Sequence, residues 1–325
     1  MTGVQTCALP ILKMSDPLRY FLIDFSGGQA LPLQLICERI CALAVTHQQR
    51  EVFLPLLTQA IEQVLFNPWG VLSRHFDLLL QQLNPAKNNF PVLSILLALA
   101  SGRKKMKDLA AECGLKQATV QQRMARLLEQ GVILKNGNFY YLKDKVFRYW
   151  LKNVFCRRQS AVDLDSGRSR EIFQQDLSQA YESFLVNSQK DLSTRIMDLL
   201  ACFEKEAFQI NGRRYELPLF QEINPARIPQ VADDPMAIIR AATADGEWLV
   251  ALKGGAVCEN DINLILDEAK KIGPKPQRCI LISLHDLDEN ARVRALQERM
   301  WIWSEGELRA LLNIFDKPYI IPVSG

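Results

Sequence analysis

The pattern of residues 90–142 restricts the fold of this chain more than any other feature of its sequence. Apolar residues recur at every third or fourth position in three successive stretches, and each stretch ends at a glycine: Gly102, Gly114 and Gly131. This spacing predicts three amphipathic helices, because glycine readily adopts the left-handed conformation in which helices end. Only three residues, 114–116, separate the second helix from the third, which predicts a helix-turn-helix.

A β-hairpin is expected directly after the third helix. Asn136 and Gly137 stand between two runs of β-prone residues, 132–135 and 138–142. Asn-Gly is a strong hairpin signal, because both central positions of the tightest turn require a positive φ angle. Three helices followed by this hairpin predict a winged helix.

The third helix of this predicted domain carries polar residues opposite its apolar face. We expect Thr119, Gln122 and Arg126 to point outward, with Arg123 at the flank. Glutamine and arginine can read base edges in the major groove of DNA. Four basic residues before and at the start of the second helix are expected to contact phosphates; they are Arg103, Lys104, Lys105 and Lys107.

The charge of the chain is unevenly distributed. The net charge is only +3, but residues 103–158 contain fourteen basic and four acidic residues, whereas residues 159–325 contain nineteen basic and twenty-six acidic ones. A basic module beside an acidic one is typical of nucleic-acid contact. The alternative is a winged helix that serves as a spacer between proteins, with a solvated basic face. Duplex DNA and a protein partner are therefore both candidate ligands.

Composition excludes several classes of protein. The longest apolar runs are much shorter than the about 20 residues that a spanning helix needs, so no membrane association is expected. The eight cysteines contain no CxxC pair, and the three histidines lack metal-ligand spacing. Neither a disulfide framework nor a zinc site is predicted, and a cytoplasmic protein with reduced thiols is expected.

Residues 1–11 are expected to be an artefact. They lack the basic start and the long apolar stretch of a signal peptide, and they resemble the translated read-through of a sequencing-library adapter. If so, the chain is the C-terminal part of a longer protein. The alternative is an ordinary disordered N-terminus.

Two motifs resemble one family of proteins. The run from Tyr141 to Leu151 resembles the Y-x-x-x-D-P-x-[FL]-R-x-W exit from the winged helix of archaeal-type P-loop ATPases of the AAA+/STAND class, with Lys145 in the place of proline. Residues 26–35 resemble the G-G-x-P-x-x-L-Q start of the helical lid of these ATPases, with Pro32 one position late. The resemblance implies an all-α lid over residues 12–88, which agrees with helical spacing across 31–83, and a winged helix over 89–158.

A nucleotide site is missing from the sequence. No G-x-x-x-x-G-K-[ST] motif occurs, and this motif supplies the loop that holds ATP phosphates. The resemblance places ATP and Mg²⁺ in a full-length parent, so no cofactor is expected in this fragment. We expect the fragment itself not to be an enzyme.

The remainder, residues 159–325, is predicted to be an α/β domain. Strands at 236–243, 248–253, 278–283 and 300–303 alternate with helices after the first hairpin, which predicts a mixed or parallel sheet. In the resembling ATPases such a tail is a restriction-endonuclease-like domain. The expected fold class is thus multidomain α+β: a helical lid, a winged helix-turn-helix and this α/β domain.

The nuclease site of this domain is expected to be degenerate. Active members place an aspartate in the first hairpin strand and E-x-K in the second, so that two carboxylates hold Mg²⁺. Lys253 matches the lysine, but Ala251 stands in the place of the glutamate. Asp233 and Asp234 precede the first strand, and Glu182 on an earlier helix is expected to form surface salt bridges. A catalytic or metal site is therefore not predicted.

Two other hypotheses remain open from the sequence. One is a winged-helix transcription regulator with an α/β sensor domain, and the other is a Mg²⁺-dependent DNA nuclease with an unconventional set of carboxylates. For an inactive domain, we expect the ammonium of Lys253 to reach solvent or a nearby acid such as Asp245 or Glu247. Replacing it by alanine should then change the stability by no more than about 1 kcal/mol, as for an exposed ion pair.

Overall fold

The computed structural model describes residues 12–83, 90–160, 166–210, 212–226, 236–271 and 275–319. The suspected adapter sequence at 1–11, together with Asp233 and Asp234, lies outside these residues. The chain divides into two compact units, one of residues 1–135 and 139–186 and the other of residues 136–138 and 187–325. The predicted boundaries at 88 and 158 stay a prediction. In the ranges just given, no helix has both the length and the apolar character needed to cross a membrane.

The first unit begins with a helical region. Its helices follow the predicted spacing, but a two-residue parallel pairing of Lys13 with Glu51 and of Met14 with Val52 was not predicted. The elements are β1 (Lys13–Met14), α1 (Asp16–Ser26), α2 (Ala30–Thr46), β2 (Glu51–Val52), α3 (Leu54–Ile61), a π-helical turn (Glu62–Phe66) and α4 (Val71–Leu83).

A winged helix follows in the first unit. Its helices are α5 (Phe90–Ala100), α6 (Met106–Cys113) and α7 (Gln117–Glu129), and its hairpin strands are β3 (Ile133–Asn136) and β4 (Phe139–Leu142). Gly102, Gly114 and Gly131 have φ angles of 95°, 61° and 67°. The three helices therefore end as predicted, at residues that tolerate the left-handed conformation.

The hairpin turn differs from the prediction by one residue. The two-residue turn is Gly137–Asn138, and Asn136 is the last residue of β3. Gly137 has a φ of 58°, so the turn has its glycine at the first central position, where positive φ is required. The segment before α6 adds a short third strand to the wing. Lys105 pairs with Phe139 in antiparallel fashion, and the N–H of Tyr140 donates to the carbonyl oxygen of Lys104 at 2.8 Å.

The segment after the wing anchors the first unit. Asp144 accepts hydrogen bonds from the N–H groups of Val146 and Phe147 at 2.8 and 2.9 Å and so caps α8 (Lys145–Trp150). Phe147 and Trp150 are buried, with ring centroids 5.1 and 5.7 Å from that of Phe76. A π-helical turn (Leu151–Phe155), α9 (Cys156–Ser160) and α10 (Ser166–Gln189) follow.

The second unit contains a mixed five-stranded sheet with the strand order β11-β10-β9-β8-β7. Strands β9, β10 and β11 are parallel, and β7, β8 and β9 are antiparallel. The strands are β7 (Glu222–Ala226), β8 (Ala237–Thr243), β9 (Gly246–Lys253), β10 (Arg278–Ser283) and β11 (Trp301–Trp303), and the helices are α11 (Leu192–Leu200), α12 (Glu259–Lys271), α13 (Glu289–Gln297) and α14 (Glu305–Ile314). The chain is thus a multidomain α+β protein, as expected.

A separate hairpin and the edge strand β7 were not predicted. The hairpin joins β5 (Glu206–Ile210) to β6 (Arg213–Leu217). Strand β7 contains Pro225, which lacks an N–H donor and is tolerated at a sheet edge. Pro225 therefore weakens the strand signal of β7 in the sequence.

Candidate nucleic-acid interface

Helix α7 presents one apolar and one polar face. Val120, Met124 and Leu127 are buried with 2% exposure or less, and they hold the helix against the rest of the winged helix. The opposite face is exposed and contains Gln117, Ala118, Gln121, Gln122, Ala125, Arg126 and Glu129.

The structure separates the four residues predicted on α7 into two pairs. Gln122 and Arg126 are exposed, whereas Thr119 and Arg123 are half-buried. Among the described residues, the Arg123 Nε is buried without a hydrogen-bond partner. Exposure is therefore greatest where the helix carries Gln122 and Arg126.

The residues in the middle of this polar face were not among the predicted contacts. Ala118, Gln121 and Ala125 are exposed, and they share the spacing of three to four residues that places side chains on one face of a helix. A helical projection of residues 117–129 would have found them. The two alanines are small, so the centre of the face carries only methyl groups between longer glutamine side chains.

The basic run spans the loop before α6 and the first turn of that helix, and Lys104 and Lys105 are bonded to strand β4 of the wing. Arg103 and Lys107 are exposed, and Lys104 and Lys105 are half-buried. The Arg103 Nε lies 3.3 Å from Glu112 Oε2, and both side chains are about half exposed. Such an exposed pair is weak, so Arg103 can exchange Glu112 for another anion.

Further basic side chains lie on the same domain and were not among the predicted contacts. Lys116, directly before α7, is exposed, as are Lys135 in β3 and Lys143 after β4. The Lys135 Nζ lies 5.4 Å from the ring centroid of Tyr140. At this distance a cation-π interaction holds the ammonium above the face of the ring.

Part of the basic charge counted in the sequence is used inside the first unit. The Lys145 Nζ pairs with Asp24 Oδ1 at 3.1 Å, and both side chains are largely buried. Arg158 donates to the carbonyl oxygen of Phe66 at 2.7 Å and to Ser73 Oγ at 2.8 Å. These cations stabilise the fold, so the surface available to a polyanion is less basic than the count over residues 103–158 indicates.

The predicted partner of Lys253 was wrong. Its Nζ lies 2.8 Å from Asp261 Oδ2, and each side chain is only 11% exposed. The connection from β9 brings the start of α12 back to the end of the strand, so the nearest carboxylate comes from the next helix and not from the hairpin turn. This is a largely buried ion pair rather than an exposed one.

Asp261 is held in its charged form. Burial opposes the charge, but hydrogen bonds from the Lys253 ammonium and from the N–H of Cys258 outweigh it and hold the pKa of Asp261 below its ordinary value. The carboxylate is thus occupied by protein donors.

The remaining nuclease positions do not form a metal site. Ala251 is fully buried and lies in register between Ile238 and Leu281, where no carboxylate is present. Glu182 is exposed on α10 in the first unit. Across the described ranges, no group of three histidine, cysteine or acidic side chains is placed to hold a metal ion, and nothing in them supports a nuclease or an ATPase.

Comparison with known proteins supports the winged helix. Residues 92–133 match the family of winged helix-turn-helix DNA-binding domains. No curated protein matches the chain. Among solved structures, the crystal structure of protein VC1899 from Vibrio cholerae matches over 73% of this chain at 13% identity, with a TM-score of 0.23. The match covers 55% of that chain. The chain therefore contains a winged helix-turn-helix domain at residues 92–133.

Proposed function

We propose that this protein binds duplex DNA through its winged helix, with α7 in the major groove, and that it acts as a DNA-binding regulatory protein. The observation that carries the proposal is the exposed face of α7 within a domain that matches the DNA-binding family. This face carries hydrogen-bonding side chains and is not occupied by an acidic cluster, since Glu129 stands alone at its end.

The side chains of α7 suit base recognition. The methyl groups of Ala118 and Ala125 leave room for the helix to approach the floor of the groove and can contact thymine methyl groups. Glutamine pairs with adenine N6 and N7, and arginine pairs with guanine O6 and N7. We assign these roles to Gln121, Gln122 and Arg126.

Basic residues around α7 suit phosphate contact. Lys116 lies before the helix, Lys107 lies on α6 and Lys135 lies on the wing, all exposed. Arg103 joins them when a phosphate replaces Glu112. Phosphate contacts fix the orientation of a helix on the duplex without reading sequence. These four residues, together with Lys104 and Lys105, are therefore proposed to set the affinity for duplex DNA of any sequence.

Selection from a randomised duplex library tests the proposed base contacts. Full-length protein should enrich a short motif, and Gln122→Ala or Arg126→Ala should relax the preference at one or two positions, by about 1–3 kcal/mol per lost bidentate contact. Arg19→Ala is the matched control, because Arg19 is an exposed arginine on α1 paired with Asp16. An identical motif from all variants would contradict the placement of α7.

A second, finer proposal rests on the sequence resemblance. It holds that the chain corresponds to the C-terminal part of an archaeal-type P-loop ATPase, with an endonuclease-like domain that has lost its site. The two motifs meet in the first unit, where Lys145 of the exit motif pairs with Asp24 beside the Gly27–Gly28 turn. The genomic reading frame upstream of Leu12 decides this proposal. A P-loop there supports the ATPase, and its absence supports a winged-helix regulator with an α/β sensor domain.

A further inference from the structure

The turn of the wing is bonded to strand β5. The N–H of Asn138 donates to the carbonyl oxygen of Ala207 at 3.0 Å. The side-chain amide of Asn136 donates to the carbonyl oxygen of Gln209 at 2.9 Å and accepts from the N–H of the same residue at 2.6 Å. Residues 136–138 are accordingly part of the same compact unit as β5.

The docked turn covers an open edge of β5. In the described part of the chain, β5 pairs with β6 alone, so its other edge has no strand partner there. Ala207 and Gln209 are two residues apart, and alternate residues of a strand direct their backbone groups to the same edge. Asn136 bonds both the N–H and the carbonyl oxygen of Gln209, as the backbone of an added strand would. The turn therefore docks on β5 in the manner of strand addition.

Gly137 lets the turn approach β5 closely. A Cβ atom at this position would lie 2.6 Å from the Cα of Phe208 and closer still to the carbonyl oxygen of Ala207. Carbon atoms that are not bonded to each other pack at about 3.5–4.0 Å, so any side chain at 137 would separate the turn from β5. The docked turn thus requires glycine for its small size as well as for its positive φ.

The groups that bond β5 are of the kind that a groove of DNA accepts. A two-stranded ribbon is one of the elements that enter DNA grooves. Asparagine side chains read base edges in the minor groove, and backbone N–H groups donate to phosphates. The side-chain amide of Asn136 and the N–H of Asn138 cannot bond β5 and DNA at the same time.

We propose that docking on β5 and DNA contact by the wing turn are mutually exclusive, so that β5 is an autoinhibitory site for the winged helix. The inference rests on the proposed DNA-binding function. Lys135 and the polar face of α7 are exposed while the turn is docked, so docking weakens DNA binding without abolishing it. By linkage, release of the turn raises the affinity for DNA, and bound DNA favours release of the turn by the same factor.

Two release variants separate the turn from β5, one on each side of the contact. Gly137→Asn keeps the hairpin turn, because asparagine tolerates a positive φ, but its Cβ atom collides with β5. Gln209→Pro removes the N–H that donates to Asn136, and proline is tolerated at the edge of a sheet. Gly212→Asn is the matched control, because Gly212 has a φ of 76° and a Cβ atom there would meet nothing within 4 Å among the described residues.

Amide hydrogen exchange of the full-length protein, read by mass spectrometry, tests the docked turn without DNA. The Asn138 amide should exchange slowly in the wild type and in Gly212→Asn, and about tenfold faster in both release variants, because its acceptor is then lost. Equal exchange in all four proteins would overturn the proposal. Saturating duplex DNA should also speed exchange of the Gln209 amide in the wild type, and bound DNA without this effect would refute the competition.

Duplex affinity, measured by fluorescence anisotropy, tests the competition itself. Both release variants should bind about five- to tenfold more tightly than the wild type, at the lower end of coupling between linked sites, and Gly212→Asn should stay within about twofold. Equal or weaker binding by both release variants would overturn the competition and leave the DNA-binding function standing. No binding by any of the four proteins would instead refute the DNA-binding function, and the competition with it.

Discussion

Asp144 shows how one side chain can serve the fold at an electrostatic cost. It caps α8, yet burial raises the pKa of its carboxyl despite the N–H groups of Phe147 and Val146. The charged form is therefore disfavoured while the hydrogen bonds are favourable. Asp144→Ala should lower the free energy of unfolding by about 1–2 kcal/mol through loss of the cap, whereas Asp144→Asn should cost much less. Urea denaturation measures both, and equal losses would show that the negative charge itself stabilises the helix.

The ion pair of Lys253 with Asp261 leads to a prediction opposite to that from the sequence. Removing one partner leaves a largely buried charge, so Lys253→Met should cost about 3 kcal/mol. The double variant Lys253→Met with Asp261→Leu should recover most of that loss, because no charge is then left unpaired. Chemical denaturation of the three proteins measures this. A loss below about 1 kcal/mol in the single variant would mean that the pair behaves as an exposed one.

The pH dependence of this pair has a definite sign. The pKa of Asp261 is lowered in the folded protein, so the unfolded chain binds a proton more readily. The stabilisation is complete above the unfolded pKa near 4 and is lost as pH falls through the lower, folded pKa. Relative to Asp261→Asn, the wild type should lose its advantage in this acid range. An advantage independent of pH from about 2 to 6 would contradict the assignment.

At the scale of elements, the exposed face of α7 has no large side chain at its centre. Ala118 and Ala125 leave its centre flat, and Ala125→Leu should weaken duplex binding at least tenfold by holding the helix away from the groove. Because residue 125 is exposed, the free energy of unfolding should change by no more than about 0.5 kcal/mol. Ala111→Leu, at an exposed position of α6, is the matched control. Equal affinities for both variants would place the DNA contact elsewhere.

The elements that the sequence predicted share a clear local signal. The helices of the winged helix have regular apolar spacing and end at glycines, and the strand β10 and helix α14 combine apolar runs with polar boundaries. The missed strands are short or polar, and β7 contains Pro225 at a sheet edge. The turn at Gly137–Asn138 was shifted by one residue, because Asn-Gly and Gly-Asn both suit a tight turn and the flanking pairing decides between them.

At the scale of the whole molecule, the site was harder to predict than the fold. The ion pair of Lys253 with Asp261 depends on where a crossover helix returns to the end of β9. Arg158 and Lys145 contribute to the basic count but serve the interior of the first unit. Periodicity identifies faces of single elements, whereas these contacts arise only when elements pack together.

A salt titration of DNA binding tests the central claim most directly. Fluorescence anisotropy of the full-length protein with a labelled duplex should give a linear fall of log affinity with log salt concentration. Lys107→Ala and Lys116→Ala should each reduce the slope by about 0.9, as one phosphate contact is lost, and Arg19→Ala should leave it unchanged. Binding that is absent at low salt, or whose affinity does not depend on salt, would contradict a DNA-binding role and favour a winged helix that binds protein.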